Sequence, residues 1–123
     1  MKKILVVDDD KTFLKTISHA LKDQGYEVIQ AEDGEEGLEK TRAEVPDLIL
    51  LDIMMPHTGG MDFMKILKEE DEKLRTIPIL IVSNLSSMNR VNEGLKLGAH
   101  GYIIKSDESL KTILKSVESI VGK

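Results

Sequence analysis

Residues 47–56 read DLILLDIMMP, and Asp52 interrupts a run that an apolar interior would otherwise accept whole. An ionised carboxylate in such surroundings is penalised heavily unless it is paired or solvated. The simplest resolution is a strand covering Leu48 to Leu51 that delivers Asp52 at its carboxyl end. Three other runs share this character: KILVVD at 3–8, IPILIV at 77–82 and GYIIK at 101–105. Short, apolar and bounded by turn residues, they read as strands covered on both faces, the mark of a parallel sheet. YEVIQAE at 26–32 is more mixed and suits an edge strand.

Helical patterns lie between the strands. Phe13, Ile17, Ala20 and Leu21, then Met88, Val91 and Leu95, then Leu110, Ile113, Leu114, Val117 and Val121 recur at three- and four-residue spacing, and these faces should bury against the sheet. Gly25 and Gly98 stand where helices should end, and Asp33 with Glu36 reads as a capping box opening another. Five strands alternating with five helices predict an α/β fold, a doubly wound parallel sheet forming one domain over residues 1–123.

Composition narrows the function classes. The chain of 123 residues is 41% hydrophobic and 32% charged, enough for one sizeable core. A net charge of −5 with the signs interspersed argues only weakly against nonspecific nucleic-acid binding, and no direct nucleic-acid partner is expected. The absence of cysteine leaves no disulfide framework and suits a reducing, cytoplasmic setting. Ile4 to Val7 is too short for a signal peptide, and no run approaches the ~18 apolar residues of a membrane span.

In open α/β sheets, ligands bind outside the carboxyl ends of the strands. Here those ends carry Asp8, Asp9 and Asp10, then Asp52, then Ser83 and Asn84, then Lys105. Gathered carboxylates repel one another unless a cation sits among them, and hard oxygen donors suit Mg²⁺. Asp52 would then be a nucleophile toward a phosphoryl group, Lys105 a point charge for its oxygens and Ser83 a hydroxyl donor. A lone strand-end aspartate is more often a cap or loop residue, but these groups converge on one edge. Asp10, just before a helix, reads as an N-cap outside the site. His57, five residues past Asp52, is near enough to the crevice to be weighed, though a loop histidine is usually only exposed.

VVDDD after the first strand, DIMMP with Pro56 and Gly60 following Asp52, Ser83 ending the fourth strand and Lys105 ending the fifth resemble, in order and spacing, the receiver domains of two-component response regulators. The resemblance covers essentially the whole chain and implies the flavodoxin-like strand order 2-1-3-4-5 of that family. It also implies that Asp52 is the phosphoacceptor and a metal ligand, that Asp9 holds Mg²⁺ directly and Asp8 through water, and that Met54 offers its backbone carbonyl. Ser83 and Lys105 would bind the phosphoryl group, and Tyr102 would be an aromatic switch moving with Ser83. The implied protein is a stand-alone switch, not a metabolic enzyme. Its implied partners are a sensor histidine kinase or histidine phosphotransfer protein and an undetermined downstream target, with the chain a monomer or a phosphorylation-dependent dimer. The sequence departs from the family pattern at Asn84, usually a small residue, at Ser106, usually proline in a cis peptide, and in the loop PHTGG.

Rival readings meet specific obstacles. A haloacid-dehalogenase-like phosphatase needs a second acid where Met54 stands. A flavodoxin-like electron carrier would not place DDDK against a flavin phosphate, and a P-loop nucleotidase needs GxxxxGK[ST]. A pseudo-receiver acting as a phosphorylation-independent interaction module would be expected to lack an acid or the lysine. Two further expectations concern surfaces. Leu14 falls off the strongest core stripe of its helix and, with Phe13, is a candidate docking surface beside the carboxylates. SSMNRVNEGLKLG, rich in poor helix formers, should be the least stable helix.

Overall fold

The computed structural model describes residues 1–55 and 58–122, so Pro56 and His57 lie outside the described residues. β1 (Lys3–Val7), β2 (Glu27–Ala31), β3 (Leu48–Leu51), β4 (Ile79–Ser83) and β5 (Gly101–Ile104) form one five-stranded sheet ordered β2-β1-β3-β4-β5. Every pairing is parallel. The helices are α1 (Lys11–Asp23), α2 (Gly34–Glu44), α3 (Gly60–Lys68), α4 (Glu72–Arg75), α5 (Met88–Lys96) and α6 (Leu110–Val121). The expected doubly wound α/β fold and strand order are therefore present.

Side-chain alternation divides the core into two layers. Ile49 and Leu51 of β3 join Val7, Ile81, Phe63 and Leu67 on one face. Leu48 and Leu50 join Ile4, Val82, Ile17, Leu21, Ile113 and Val117 on the other. Because both faces are covered, all four β3 residues are buried, which accounts for a strand without hydrophobic alternation. Truncating a side chain such as Leu50 to alanine should cost ~2–5 kcal/mol.

Register positions the site. Val7 pairs with Leu51, so Asp8 and Asp52 are the next residues along adjacent strands. The Asp52 amide still donates to Val7 O at 3.0 Å, and the Asp8 amide to Ala31 O at 3.0 Å. Both carboxylates thus leave the sheet from anchored backbone. At the opposite edge, Lys3 N donates to Asp47 Oδ2 at 2.7 Å, Tyr26 Oη donates to Gly122 O at 2.8 Å, and Gln24 is exposed.

Local expectations fare unevenly. Gly25 and Gly98 adopt φ of 95° and 100° after α1 and α5, as left-handed C-terminal turns require. Asp33 caps α2 by accepting from the Glu36 amide at 2.8 Å, while the Glu36 carboxylate reaches past the cap to the Glu32 amide at 2.7 Å. Asp10 caps α1, accepting from Thr12 and Phe13 amides. Among the described residues there are six helices instead of five: Asp71 accepts from the Leu74 amide at 3.2 Å and Leu74 inserts into the core, closing the single turn α4.

Two surfaces differ from expectation. Met88 and Leu95 on α5 are 70% and 46% exposed, and the residue buried on that helix is Gly94. A Cβ at Gly94 would stand 2.6 Å from Ile81 Cδ1, so the helix approaches the sheet on a residue without a side chain and its apolar stripe turns outward. Leu110 is likewise partly exposed at the start of α6. Leu14, read as a candidate docking residue, is only 4% exposed and packs in the layer with Ile113 and Val117. α1 meets α6 as well as the sheet, so its buried arc is wider than a single stripe, and Leu14 is core.

Candidate functional site

The carboxyl edge brings Asp8, Asp9 and Asp52 together: one carboxylate oxygen from each lies within 4.8 Å of the others. Asp8 and Asp52 are buried and Asp9 is exposed, so the cluster has a closed floor and an open mouth. The turns after the strands orient the carboxylates. Asp8 Oδ1 accepts from the Asp10 amide at 2.9 Å, and Asp52 Oδ1 accepts from the Met54 amide at 3.0 Å. In each case the second oxygen is left facing inward.

Those two oxygens share one cation. Lys105 Nζ stands 2.6 Å from Asp8 Oδ2 and 3.4 Å from Asp52 Oδ2, and it also lies 4.4 Å from the centre of the Phe13 ring. A cation over an aromatic face is held electrostatically by the ring quadrupole. The sequence marks Phe13 as a core or docking residue, and nothing in it places the ring beneath Lys105. Burial pushes the Asp8 carboxyl up to about 6, against the pull of Lys105 and of the Asp10 amide. Burial pulls the Lys105 ammonium down, but contact with Asp8 and the charge of Asp52 outweigh it, leaving its pKa above the usual lysine value.

The donor set fits a hard divalent cation. Asp8 Oδ2 is buried and makes no well-directed hydrogen bond among the described residues, its close partner being the Lys105 charge. Such an oxygen beside two other carboxylates offers hard ligands without nitrogen or sulfur, and Mg²⁺ is bound with few protein groups and retained waters.

Ser83 and Tyr102 border this cluster. Ser83 is fully buried, and its Oγ accepts from the Leu85 amide at 3.3 Å. Tyr102 is half-buried, and its hydroxyl donates to Leu85 O at 2.5 Å; burial, then the charge of Asp52, raises its pKa. One loop residue, Leu85, therefore touches both side chains. Met54 is 52% exposed, and Met55 and Met61 are half-buried. His57, weighed from the sequence for a place at the crevice, lies outside the described residues.

At the departures from the resemblance, no cis peptide occurs among the described residues, so Lys105–Ser106 is trans. Asn84 is exposed and its Oδ1 accepts from the Ser106 amide at 2.9 Å. In the PHTGG loop, a Cβ on Gly34 would meet Thr58 O at 2.4 Å, so the start of α2 rests directly on that loop.

Fold and site together define a doubly wound α/β protein whose carboxyl edge carries an acidic, cation-competent pocket with a lysine at its floor. The model of the response regulator receiver domain matches residues 4–118, and the chain belongs to that family. It is 40% identical over 104 residues to the alkaline phosphatase synthesis transcriptional regulatory protein PhoP of Bacillus subtilis, covering 85% of this chain and 42% of that protein. It is 31% identical over 122 residues to the protein PilH of Pseudomonas aeruginosa, covering 99% of both. The chain spans about half the length of PhoP and of the probable transcriptional regulators ycf27 that it also resembles. Among solved structures, the chemotaxis protein CheY4 of Vibrio cholerae superposes with a TM-score of 0.89 at 34% identity, covering 98% of each chain. The chain is thus a receiver domain of two-component signalling, and among the described residues no helix is long and apolar enough to cross a membrane.

Proposed function

We propose that residues 1–123 form a receiver that takes a phosphoryl group from a phosphohistidine onto Asp52 and acts as a switch for partner binding, not as a metabolic enzyme. The supporting observation is the contact of Lys105 with both Asp8 and Asp52 in a pocket whose third acid is exposed to the entrance. Asp52 attacks phosphorus as its phosphorus–oxygen bond forms and the phosphorus–nitrogen bond to the donor imidazole breaks. The imidazole leaves with the electron pair and takes up a proton. Hydrolysis by water attacking phosphorus then restores the carboxylate and releases phosphate. Asp8, Asp9, Asp52 and the Met54 carbonyl are the groups that would hold Mg²⁺, Asp8 through water. When bound, the ion would offset the negative charge of carboxylates and phosphoryl oxygens.

Lys105 moves its charge from the carboxylates to a phosphoryl oxygen, and Ser83 donates its hydroxyl to another. Tyr102 follows Ser83 through the shared Leu85 loop. The proposed partners are a sensor histidine kinase or histidine phosphotransfer protein upstream and a separate protein target downstream.

The test is intact-mass analysis after exposure to acetyl phosphate with Mg²⁺. One hydroxylamine-sensitive phosphoryl group is expected on the native chain and none on Asp52→Asn. Equal labelling of the variant, or labelling undiminished by excess chelator, overturns the assignment.

A further inference from the structure

The last main-chain rung between β4 and β5 is the Lys105 amide donating to Ser83 O at 3.0 Å. One step further the backbones part, yet the ladder continues: the Ser106 amide donates to the Asn84 side chain, Oδ1, at 2.9 Å. The residue after Ser83 is thereby tied to the residue after Lys105. Beyond it the chain turns at once, with the Asp107 and Glu108 amides donating to Ile104 O at 3.0 and 3.2 Å. Lys105 is consequently held on both sides of its own Cα, and its side chain springs from a fixed base toward Asp8 and Asp52.

We propose that Asn84 is a positioning residue: its hydrogen bond to the Ser106 amide latches the β5–α6 loop and sets how closely the Lys105 ammonium is delivered to the carboxylates and to a phosphoryl group on Asp52. The proposal rests on the phosphoacceptor reading for its kinetic part alone. Asn84 is exposed, so breaking the latch removes no core packing, and water replaces the lost acceptor at small cost to folding. What is lost is the fixed base of Lys105. A small misplacement of a charge-bearing group is costly in rate because its effect depends on distance and orientation. The polar side chain at 84 and the amide-bearing residue at 106 thus work as one unit.

Two variants separate the latch from mere bulk. Asn84→Ala removes both the acceptor and the volume, whereas Asn84→Leu keeps the volume and removes the acceptor. Three quantities are read on the full chain with Mg²⁺: hydrogen exchange at the Ser106 amide, the Lys105 ammonium signal in ¹H–¹⁵N spectra, and the rate of labelling by acetyl phosphate. Both variants are expected to lose Ser106 protection, to broaden or lose the Lys105 ammonium signal, and to slow labelling roughly threefold to tenfold. Melting temperatures should stay close to that of the native chain. If the leucine variant labels like the native chain while the alanine variant does not, bulk at position 84 is what matters and the latch is wrong. Unchanged Ser106 exchange in both variants also overturns it. Failure of the native chain to be labelled on Asp52 strikes the phosphoacceptor reading instead, and the Ser106 and Lys105 signals then decide the latch by themselves.

Discussion

Lys105 Nζ lies 2.6 Å from Asp8 Oδ2 and 3.4 Å from Asp52 Oδ2, so a single ammonium bridges the ends of two neighbouring strands. Lys105→Met leaves Asp8 buried without its counter-charge and should destabilise the metal-free protein by roughly 1–3 kcal/mol, below the full cost of breaking a buried pair because the lysine is partly solvated. Saturating Mg²⁺ should recover much of that loss, and the variant should bind Mg²⁺ more tightly than the native chain. Thermal melts with and without Mg²⁺ check both statements. A variant equally stable without the ion would show that the bridge carries no weight.

Asp8 has an ordinary carboxyl value of 3.8 and is pushed up to about 6 by burial. The folded protein therefore holds this proton more tightly than the unfolded chain does. The resulting stability is complete below about pH 4 and lost as the pH rises through about 6. In chelator, the unfolding free energy of the native chain, read from urea titrations, should fall across this window relative to Asp8→Asn by an amount on the order of 1–3 kcal/mol. Mg²⁺ affinity should run the other way, strengthening over the same range as the competing proton leaves. Parallel pH profiles for the native chain and Asp8→Asn would remove Asp8 as the cause.

Ser83 Oγ and the Tyr102 hydroxyl both contact Leu85, on the loop that leads into α5. With beryllofluoride and Mg²⁺ as a phosphoryl mimic, hydrogen exchange should change most, away from the pocket itself, across residues 84–104. Ser83→Ala should shrink that change while Asp52 can still be labelled. Protection altered only in the loops lining the pocket would contradict this route.

A Cβ on Gly60 would stand 2.5 Å from Ile53 Cα and 2.9 Å from Asp52 O, both main-chain atoms that cannot swing aside. Gly60→Ala should cost ~1–3 kcal/mol and disturb labelling together with stability. The exposed side of α5 behaves oppositely: Leu95→Ser should stay within about 0.5 kcal/mol of native, whereas Val117→Ala, fully buried, should cost ~1–3 kcal/mol. Urea unfolding of the three variants tests that order.

The strands and the acidic edge were readable in the sequence because each depends on short-range signals. A four-residue apolar run ending in aspartate has few ways to fold, and parallel strands deliver their ends to a common side. What escaped has a physical reason in each case. Gly94 marks the packed side of α5, and a residue without a side chain is invisible to a hydrophobic stripe. Leu14 is buried because α6, nearly a hundred residues away in sequence, covers it. The Phe13 ring beneath Lys105 joins α1 to the end of β5 across the sheet, and the Ser106 amide reaches Asn84 Oδ1 only once β4 and β5 are paired.

The amino-terminal edge of the sheet, where Gln24 is exposed beyond the end of α1, is far from every group assigned to the chemistry. The chain has no cysteine of its own. A thiol introduced by Gln24→Cys would therefore be a unique handle for a fluorophore or a surface tether, on the end of the molecule that a docking phosphodonor does not need. Single-molecule recording of a protein immobilised this way should yield the same labelling kinetics as the protein free in solution.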